Sequence, residues 1–468
     1  MASPVLTAVK YANATRCIFR DAVRCVSTTS SLQSPRRPKT GGRNIVLIDG
    51  VRTPFLQSST TYKNLMPHDL ARTALKGLLK RTAVNTTDIE YVVIGTVIQE
   101  VNTSNIAREA SLGAGFSQRT PAHTVTQACI SSNQAISTGV GMIASGQMDA
   151  VIAGGVEFMS DVPIRWGRKL RQMALKMNRT KGAQAQLSLL IRTLATKPNL
   201  LEIPAVAEFS TGEVMGHSAD RLCAAFGISR IEQDEYALRS HTKAHWASEK
   251  GLLSDVIPYK VPGVAETVVK DNGIRPSSVE QMSKLKAAFI KPHGTITAAN
   301  SSFLTDGASA CLIMSEEKAL QLGFKPKAYL REFVYVSQDP KDQLLLGPAY
   351  ATPKVLEKAG LAMSDIDVFE FHEAFAGQIL ANLKAMDSDY FAKNHMNRSE
   401  KVGTPDLSKF NLWGGSLSIG HPFGATGVRL VTTAANRLID EDGQLALVAA
   451  CAAGGIGHGM IVERYPQK

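Results

Sequence analysis

Along this chain, apolar residues change spacing in a fixed order, and the order occurs twice. Residues 70–82 carry helical periodicity, Asn85-Thr86-Thr87-Asp88-Ile89-Glu90 forms an acidic turn, and residues 91–97 are a continuous apolar run. Residues 352–360 repeat the helix, Met363-Ser364-Asp365-Ile366-Asp367 the turn, and residues 368–371 the run, with Gln99 and Glu373 at similar points beyond it. The following units match as well. A small-residue helix at 131–146 feeds an apolar strand at 149–155, and its counterpart at 427–440 feeds 444–450. Unbroken apolar strands alternating with helices predict parallel sheets covered on both faces, in two duplicated α/β halves. A seam between such halves is a natural place for a cleft.

Residues 160–287 interrupt the pattern, falling between the strand at 149–155 and the first half's expected last strand at 308–314. The expected organisation is therefore a lead at 1–43, an N-terminal half from 44–159 with 288–317, an inserted loop domain at 160–287, and a C-terminal half at 318–468. Nothing approaches the roughly 20 apolar residues of a membrane-spanning helix.

The net charge of +11 suggests nucleic acid until its distribution is considered. Residues 1–43 hold eight basic residues against the single acid Asp21, so the remainder is nearly balanced and a nucleic-acid role is disfavoured. Arg16, Arg20 and Arg24 recur at helical spacing before a Ser/Thr-rich stretch, the pattern of a mitochondrial presequence. The second concentration lies at 162–200. There Arg165, Arg168, Lys169, Arg171, Lys176, Arg179, Lys181, Arg192 and Lys197 stand among apolar residues with no acid. An anionic membrane surface, a partner subunit, a solvated face or a rim attracting nucleotide phosphates all fit that composition, with membrane or partner contact favoured by the interleaved apolar positions. The six cysteines include no C-x-x-C pair, which argues against zinc or a dithiol centre and suits a reducing compartment.

Four short segments set reactive side chains beside tight-turning residues: Gln127-Ala128-Cys129-Ile130-Ser131-Ser132, Phe371-His372-Glu373-Ala374-Phe375-Ala376, Gly420-His421-Pro422-Phe423-Gly424-Ala425-Thr426-Gly427 and Cys451-Ala452-Ala453-Gly454-Gly455-Ile456-Gly457. Cys129 sits at a strand-to-helix elbow, where a helix N-terminus lowers a thiol pKa and offers free amides to an oxyanion. A thiol needs a base, and either His421 or His372 supplies one. Glycines before His421 and a proline after it hold the imidazole on a rigid loop, and Cys451 at a strand end serves as a second acid/base. Two thiols and two imidazoles so framed point to acyl transfer.

These segments together resemble the thiolase family over essentially all of the chain beyond residue 43. The resemblance implies a thiolase-like α/β fold, Cys129 as the acylated nucleophile, His421 as its base, Cys451 as the second acid/base, and the backbone N–H groups of Cys129 and Ala453 as an oxyanion site. It implies thiolysis of a 3-oxoacyl-CoA to acetyl-CoA and a shortened acyl-CoA, with coenzyme A as co-substrate and no tightly bound cofactor or metal. Met215 is placed at the acyl pocket, Phe289 at the adenine, and Ala298 and Ser302 along the pantetheine. The long basic insertion and the His-Glu-Ala-Phe segment are similar to the branch that serves long-chain mitochondrial β-oxidation. That branch implies homo-oligomers, a hetero-oligomer with a hydratase/dehydrogenase subunit, and a matrix location against the inner membrane.

The chain departs from the family at two places. Most thiolases have asparagine where His372 stands, and Ala453 replaces a glycine of the usual Cys-x-Gly-Gly-Gly pattern. His372 is expected to take the asparagine's role as donor, with a protonation state that changes near neutral pH. The alternatives are an acetyl-CoA condensing thiolase and a catalytically idle CoA or lipid carrier; a carrier has no need of two thiols and an imidazole.

Overall fold

The computed structural model describes residues 42–204 and 207–466. The presequence reading therefore lies outside the described residues, apart from Gly42 and Arg43.

Nine strands form one continuous path: β1 (Ile45–Arg52), β2 (Tyr91–Gly95), β3 (Ala122–Val125), β4 (Ala150–Glu157), β5 (Thr305–Ser315), β6 (Ala328–Ser337), β7 (Val368–Phe371), β8 (Leu445–Ala452) and β9 (Ile456–Arg464). Their order is β7-β8-β9-β6-β1-β5-β4-β2-β3, and a short tenth strand, Leu56–Gln57, pairs with β5. The halves meet where β1 and β6 pair at only two positions, Val46 with Tyr329 and Leu47 with Ala328.

The sheet is mixed, which corrects the expectation of parallel sheets. Parallel pairing holds for β2 with β3 and β4, and for β7 with β8. The middle of the sheet, from β4 through β5, β1, β6 and β9 to β8, is antiparallel. A strand covered on both faces reads as an unbroken apolar run whichever way it points, and β5 is buried at all 11 positions.

The duplication is visible in side-chain detail. Each acidic turn is a 3-10 turn, Thr86–Asp88 and Met363–Asp365. Beyond each, one carboxylate gathers the amides that open the neighbouring strand: Glu90 takes the N–H groups of Asp149 and Ala150, and Asp367 those of Gln444 and Leu445.

Two equivalent helices, Ser131–Ala144 and Thr426–Asp440, share a hydrophobic core against one face of the sheet. Ile136, Val140 and Ile143 from the first meet a core that also holds Val431, Ala434 and Leu438 from the second, beside Val151, Ile313 and Val448 of the strands. Helices Pro67–Thr82 and Ile106–Ala114 cover the other face in the first half, and Gly347–Ala359 and Ala376–Met386 in the second. Gly155 marks how closely the strands approach the loop before the second central helix, because a Cβ there would lie 1.8 Å from the carbonyl oxygen of Gly424.

Between β4 and β5, residues 160–304 build helices and two small two-stranded sheets, Arg165–Trp166 with Leu201–Glu202 and Tyr259–Lys260 with Thr267–Val268, apart from the main sheet. Part of this segment is tied down by a buried guanidinium: Arg52 Nε donates to Asp255 at 2.8 Å, and its two terminal nitrogens grip Asp271 at 2.6 and 2.9 Å. The basic stretch behaves differently. Helices Arg168–Met177 and Ala183–Ala195 have no buried residue, and Trp166, Leu175, Leu187, Ile191, Leu200 and Leu201 stay exposed around them.

Candidate active site

Cys129 lies in the turn between β3 and the helix Ser131–Ala144, as its strand-to-helix setting predicted. Ala128 takes a left-handed backbone, φ 46°, a conformation that a non-glycine residue holds only under local constraint. The constraint comes from Ser131, whose Oγ accepts the Gln127 N–H at 2.8 Å and donates to the Ala128 carbonyl at 2.6 Å. The backbone N–H groups of Ala453 and of Cys129 itself, the two amides expected to hold an oxyanion, lie close enough to the half-buried thiol to favour its ionised form.

Burial pushes the Cys129 thiol up to about 12, against the lowering expected from a helix N-terminus. The two amides pull it back, and the charge of Glu157 raises it further. Desolvation of a thiolate outweighs what these dipoles return. Cys451, near the end of β8, is fully buried; burial first and the nearby charge of Cys129 second push its thiol up as well. The two thiols thus share one electrostatic neighbourhood.

The imidazoles form the second pair. His372 follows β7 and donates its backbone N–H to the Ala449 carbonyl at 2.8 Å, two residues before Cys451. His421 is fixed by its backbone N–H on Thr305 Oγ1 at 3.0 Å, and Gly420 before it takes φ 112°. The ring centroids lie 4.0 Å apart. His372 Nδ1 meets Ser416 Oγ at 2.9 Å, His421 Nδ1 meets Thr426 Oγ1 at 2.7 Å, and both Nε2 atoms are buried without a partner. The helix that follows the histidine loop is bonded to the nucleophile's helix, since the Val428 N–H donates to Ser132 Oγ at 3.2 Å.

Burial, reinforced by the Arg429 guanidinium, lowers His372 to about 3, so it stays neutral near pH 7; this corrects the expectation of a change in protonation there. Burial, then His372 and Arg429, hold His421 well below the ordinary histidine value. Both rings therefore rest uncharged, and the Cys129 thiol rests protonated.

The residues assigned to coenzyme A gather less tightly. The loop carrying Ala298 and Ser302 is stitched to the His372 segment, with Ser302 N–H on the Ala374 carbonyl and Ala376 N–H on the Asn300 carbonyl, both 2.9 Å. Ala298 is exposed and Ser302 half-buried. Phe289 stands edge-on to Phe375 at 6.1 Å and against Gly216 beside Met215, joining these positions into one aromatic wall.

With this geometry established, comparison with known proteins is direct. Residues 45–317 match the thiolase N-terminal domain and residues 324–464 the thiolase C-terminal domain. The chain belongs to the thiolase family. It is 67% identical over 466 residues to the mitochondrial trifunctional enzyme subunit beta of Bos taurus, covering 97% of each chain. It is 59% identical over 426 residues to a probable 3-ketoacyl-CoA thiolase of Caenorhabditis elegans, covering 90% of this chain and 94% of that one. The structure of human mitochondrial 3-ketoacyl-CoA thiolase superposes with a TM-score of 0.77 at 29% identity, covering 91% of this chain and 99% of that one. Among the described residues, no helix of this thiolase is long and apolar enough to cross a membrane.

Several buried polar groups of this thiolase take bracing roles that the sequence reading did not assign. The Glu157 carboxylate, raised by burial to about 7, accepts the N–H groups of Val97, Ile98 and Gly424, tying the first half to the histidine loop. Glu373 accepts from Tyr236, Ser240 and Asn411 at 2.9, 2.7 and 2.7 Å and so braces the glycine-rich loop. Arg429 donates to Ser416 at 3.0 Å and pairs with Glu370 at 3.5 Å. The Gly-x-Glu and Gly-x-Arg surroundings of Glu157 and Arg429 mark no chemistry by themselves, because their roles depend on partners that lie from 13 to 267 residues away in the chain.

Proposed function

We propose that this chain catalyses thiolytic cleavage of long-chain 3-oxoacyl-CoA by coenzyme A, yielding acetyl-CoA and a shortened acyl-CoA, as the last step of mitochondrial β-oxidation. The observation that carries the reading is the Cys129 sulfur at its strand-to-helix elbow, with the backbone N–H groups of Cys129 and Ala453 favouring its ionised form and Cys451 within electrostatic reach. A binding protein has no use for a second thiol near that sulfur or for two neutral imidazoles packed against each other.

In the proposed sequence, His421 takes the Cys129 proton as the sulfur attacks the 3-keto carbon. The bond between the second and third carbons then breaks, its electron pair going to the acetyl-CoA enolate. His421 and His372 hold the enolate oxygen, and Cys451 delivers the proton. The acyl group remains as a thioester on Cys129, its tetrahedral oxyanions held by the N–H groups of Cys129 and Ala453. Cys451 next deprotonates incoming coenzyme A, whose sulfur displaces Cys129 and releases acyl-CoA, the departing Cys129 thiolate taking its proton back from His421. A neutral thiol and neutral imidazole at rest make proton removal accompany attack, rather than precede it as a standing ion pair.

Met215, Phe289, Ala298 and Ser302 are assigned to substrate and coenzyme A, with no tightly bound cofactor. Residues 160–287 act as an inserted loop domain between halves 44–159 with 288–317 and 318–468, after a cleaved lead at 1–43. The working assembly is a homo-oligomer joined to a hydratase/dehydrogenase subunit in the matrix. Its exposed basic helices, Arg168–Met177 and Ala183–Ala195, rest on the anionic inner membrane, a reading supported by apolar side chains standing bare among cations.

Mass spectrometry of the protein mixed with 3-oxoacyl-CoA of several chain lengths tests the central step. An acyl adduct on Cys129 is expected, absent from Cys129→Ser; Cys451→Ala slows exchange while Cys129 remains open to alkylation. An adduct elsewhere, or none, sinks the proposal.

A further inference from the structure

The hydrogen-bond partners of the two imidazoles are not equivalent. A guanidinium only donates, and Arg429 Nη2 donates to Ser416 Oγ at 3.0 Å. The serine hydroxyl hydrogen is then left for His372 Nδ1 at 2.9 Å, which makes Nδ1 the acceptor and puts the ring proton on Nε2. A carbonyl only accepts, and the Thr426 hydroxyl donates to the Pro422 carbonyl at 3.2 Å. Thr426 Oγ1 is then left to accept, so His421 Nδ1, at 2.7 Å, carries the proton and Nε2 the lone pair. Each Nε2 is buried without a partner among the described residues, and the rings lie 4.0 Å apart.

We infer that Ser416, backed by Arg429, and Thr426 are positioning residues that impose opposite tautomers on neighbouring histidines, making His372 an Nε2–H donor to an oxyanion and His421 an Nε2 base toward Cys129. The inference rests on the roles proposed above for the two rings. It explains how one ring type fills two opposed tasks. An imidazole in the wrong tautomer at 372 would present a lone pair to a developing negative charge, and at 421 a proton to a thiol that must lose one.

The test uses the full chain with kcat and KM for a 3-oxoacyl-CoA, and the rate of Cys129 alkylation by iodoacetamide. Ser416→Ala is expected to lower kcat by about 10- to 100-fold, below the ~10²- to 10³-fold of losing a donor outright, with KM and the alkylation rate unchanged. Thr426→Val is expected to slow alkylation and lower kcat together, and Thr426→Ser, which keeps the hydroxyl, to recover both. The inference is overturned if Ser416→Ala slows alkylation as Thr426→Val does, if it leaves kcat intact, or if Thr426→Val leaves alkylation intact. The wild-type chain separates the two levels: without an acyl adduct on its Cys129 the function itself fails, whereas a normal adduct without this split of effects removes only the tautomer assignment.

Discussion

His372 and His421 face each other with ring centroids 4.0 Å apart and planes tilted by 40°, and neither is charged at neutral pH. Burial is the main cause, and Arg429 adds to it by making a second positive charge beside either ring unfavourable. Neutrality is the property that the proposed chemistry needs, since a base must hold a lone pair and a donor must not compete for it.

Acid should destabilise the fold through its buried histidines. His372 and His458 are lowered to about 3 and His241 to about 4, all chiefly by burial, and His421 falls in the same direction. With folded values below the unfolded ~6.5, the unfolded chain binds more protons between about pH 3 and 6.5. Stability is complete above that window and falls on acidification. Glu157, raised to about 7 by burial, acts oppositely, since its folded form binds the extra proton between its unfolded value and 7. The carboxyls of Asp306, Glu370 and Glu463, also raised by burial, act in the same sense as Glu157, but the histidines, with His123 lowered as well, titrate across the whole step from pH 7.5 to 5, and a net loss of stability is expected over it. Denaturant unfolding at the two pH values measures it, and equal stabilities would contradict the buried neutral rings.

Asparagine in place of His372 should be tolerated. His372→Asn keeps a donor and is expected to hold kcat within about tenfold of wild type, whereas His372→Ala should lose ~10²- to 10³-fold. A folded His372→Asn protein without activity would show that the imidazole does more than donate.

Gly155→Ala should disable the histidine loop. The new Cβ would lie 1.8 Å from the Gly424 carbonyl oxygen and 2.6 Å from its carbon, both backbone atoms of the segment that carries His421. A cost of about 1–3 kcal/mol in stability is expected, with a fall in kcat of at least tenfold. Thermal unfolding and steady-state kinetics report the two effects, and an unchanged kcat would mean the loop yields without moving the ring.

The basic helices should bind anionic bilayers. Lys169, Lys176 and Arg179 lie in or just after the exposed helix Arg168–Met177. Each contributes up to ~1 kcal/mol near an anionic surface. Reversing all three to glutamate should abolish sedimentation with cardiolipin-containing vesicles, while neutral vesicles bind neither protein. Undiminished binding by the reversed variant would move the contact elsewhere.

Much of the element pattern was legible because each element obeys a local rule. The helix read at 131–146 forms at Ser131–Ala144, and the strand read at 444–450 at Leu445–Ala452. Strand direction was not legible. Double coverage erases the alternation that distinguishes an antiparallel strand with a wet face, as in Thr305–Ser315. The thiol pKa was misread for a related reason: a helix N-terminus is visible in sequence, but the burial that outweighs it at Cys129 is not.

By itself, the sequence determined the duplicated halves, the glycine-framed turns and the reactive side chains upon them, because periodicity and turn chemistry act over a few neighbouring residues. Only the tertiary structure decided which groups govern that chemistry. Arg429 behind Ser416, Thr426 behind His421 and Glu157 beneath the histidine loop act through hydrogen bonds and desolvation, which exist only once distant segments are packed and water is removed.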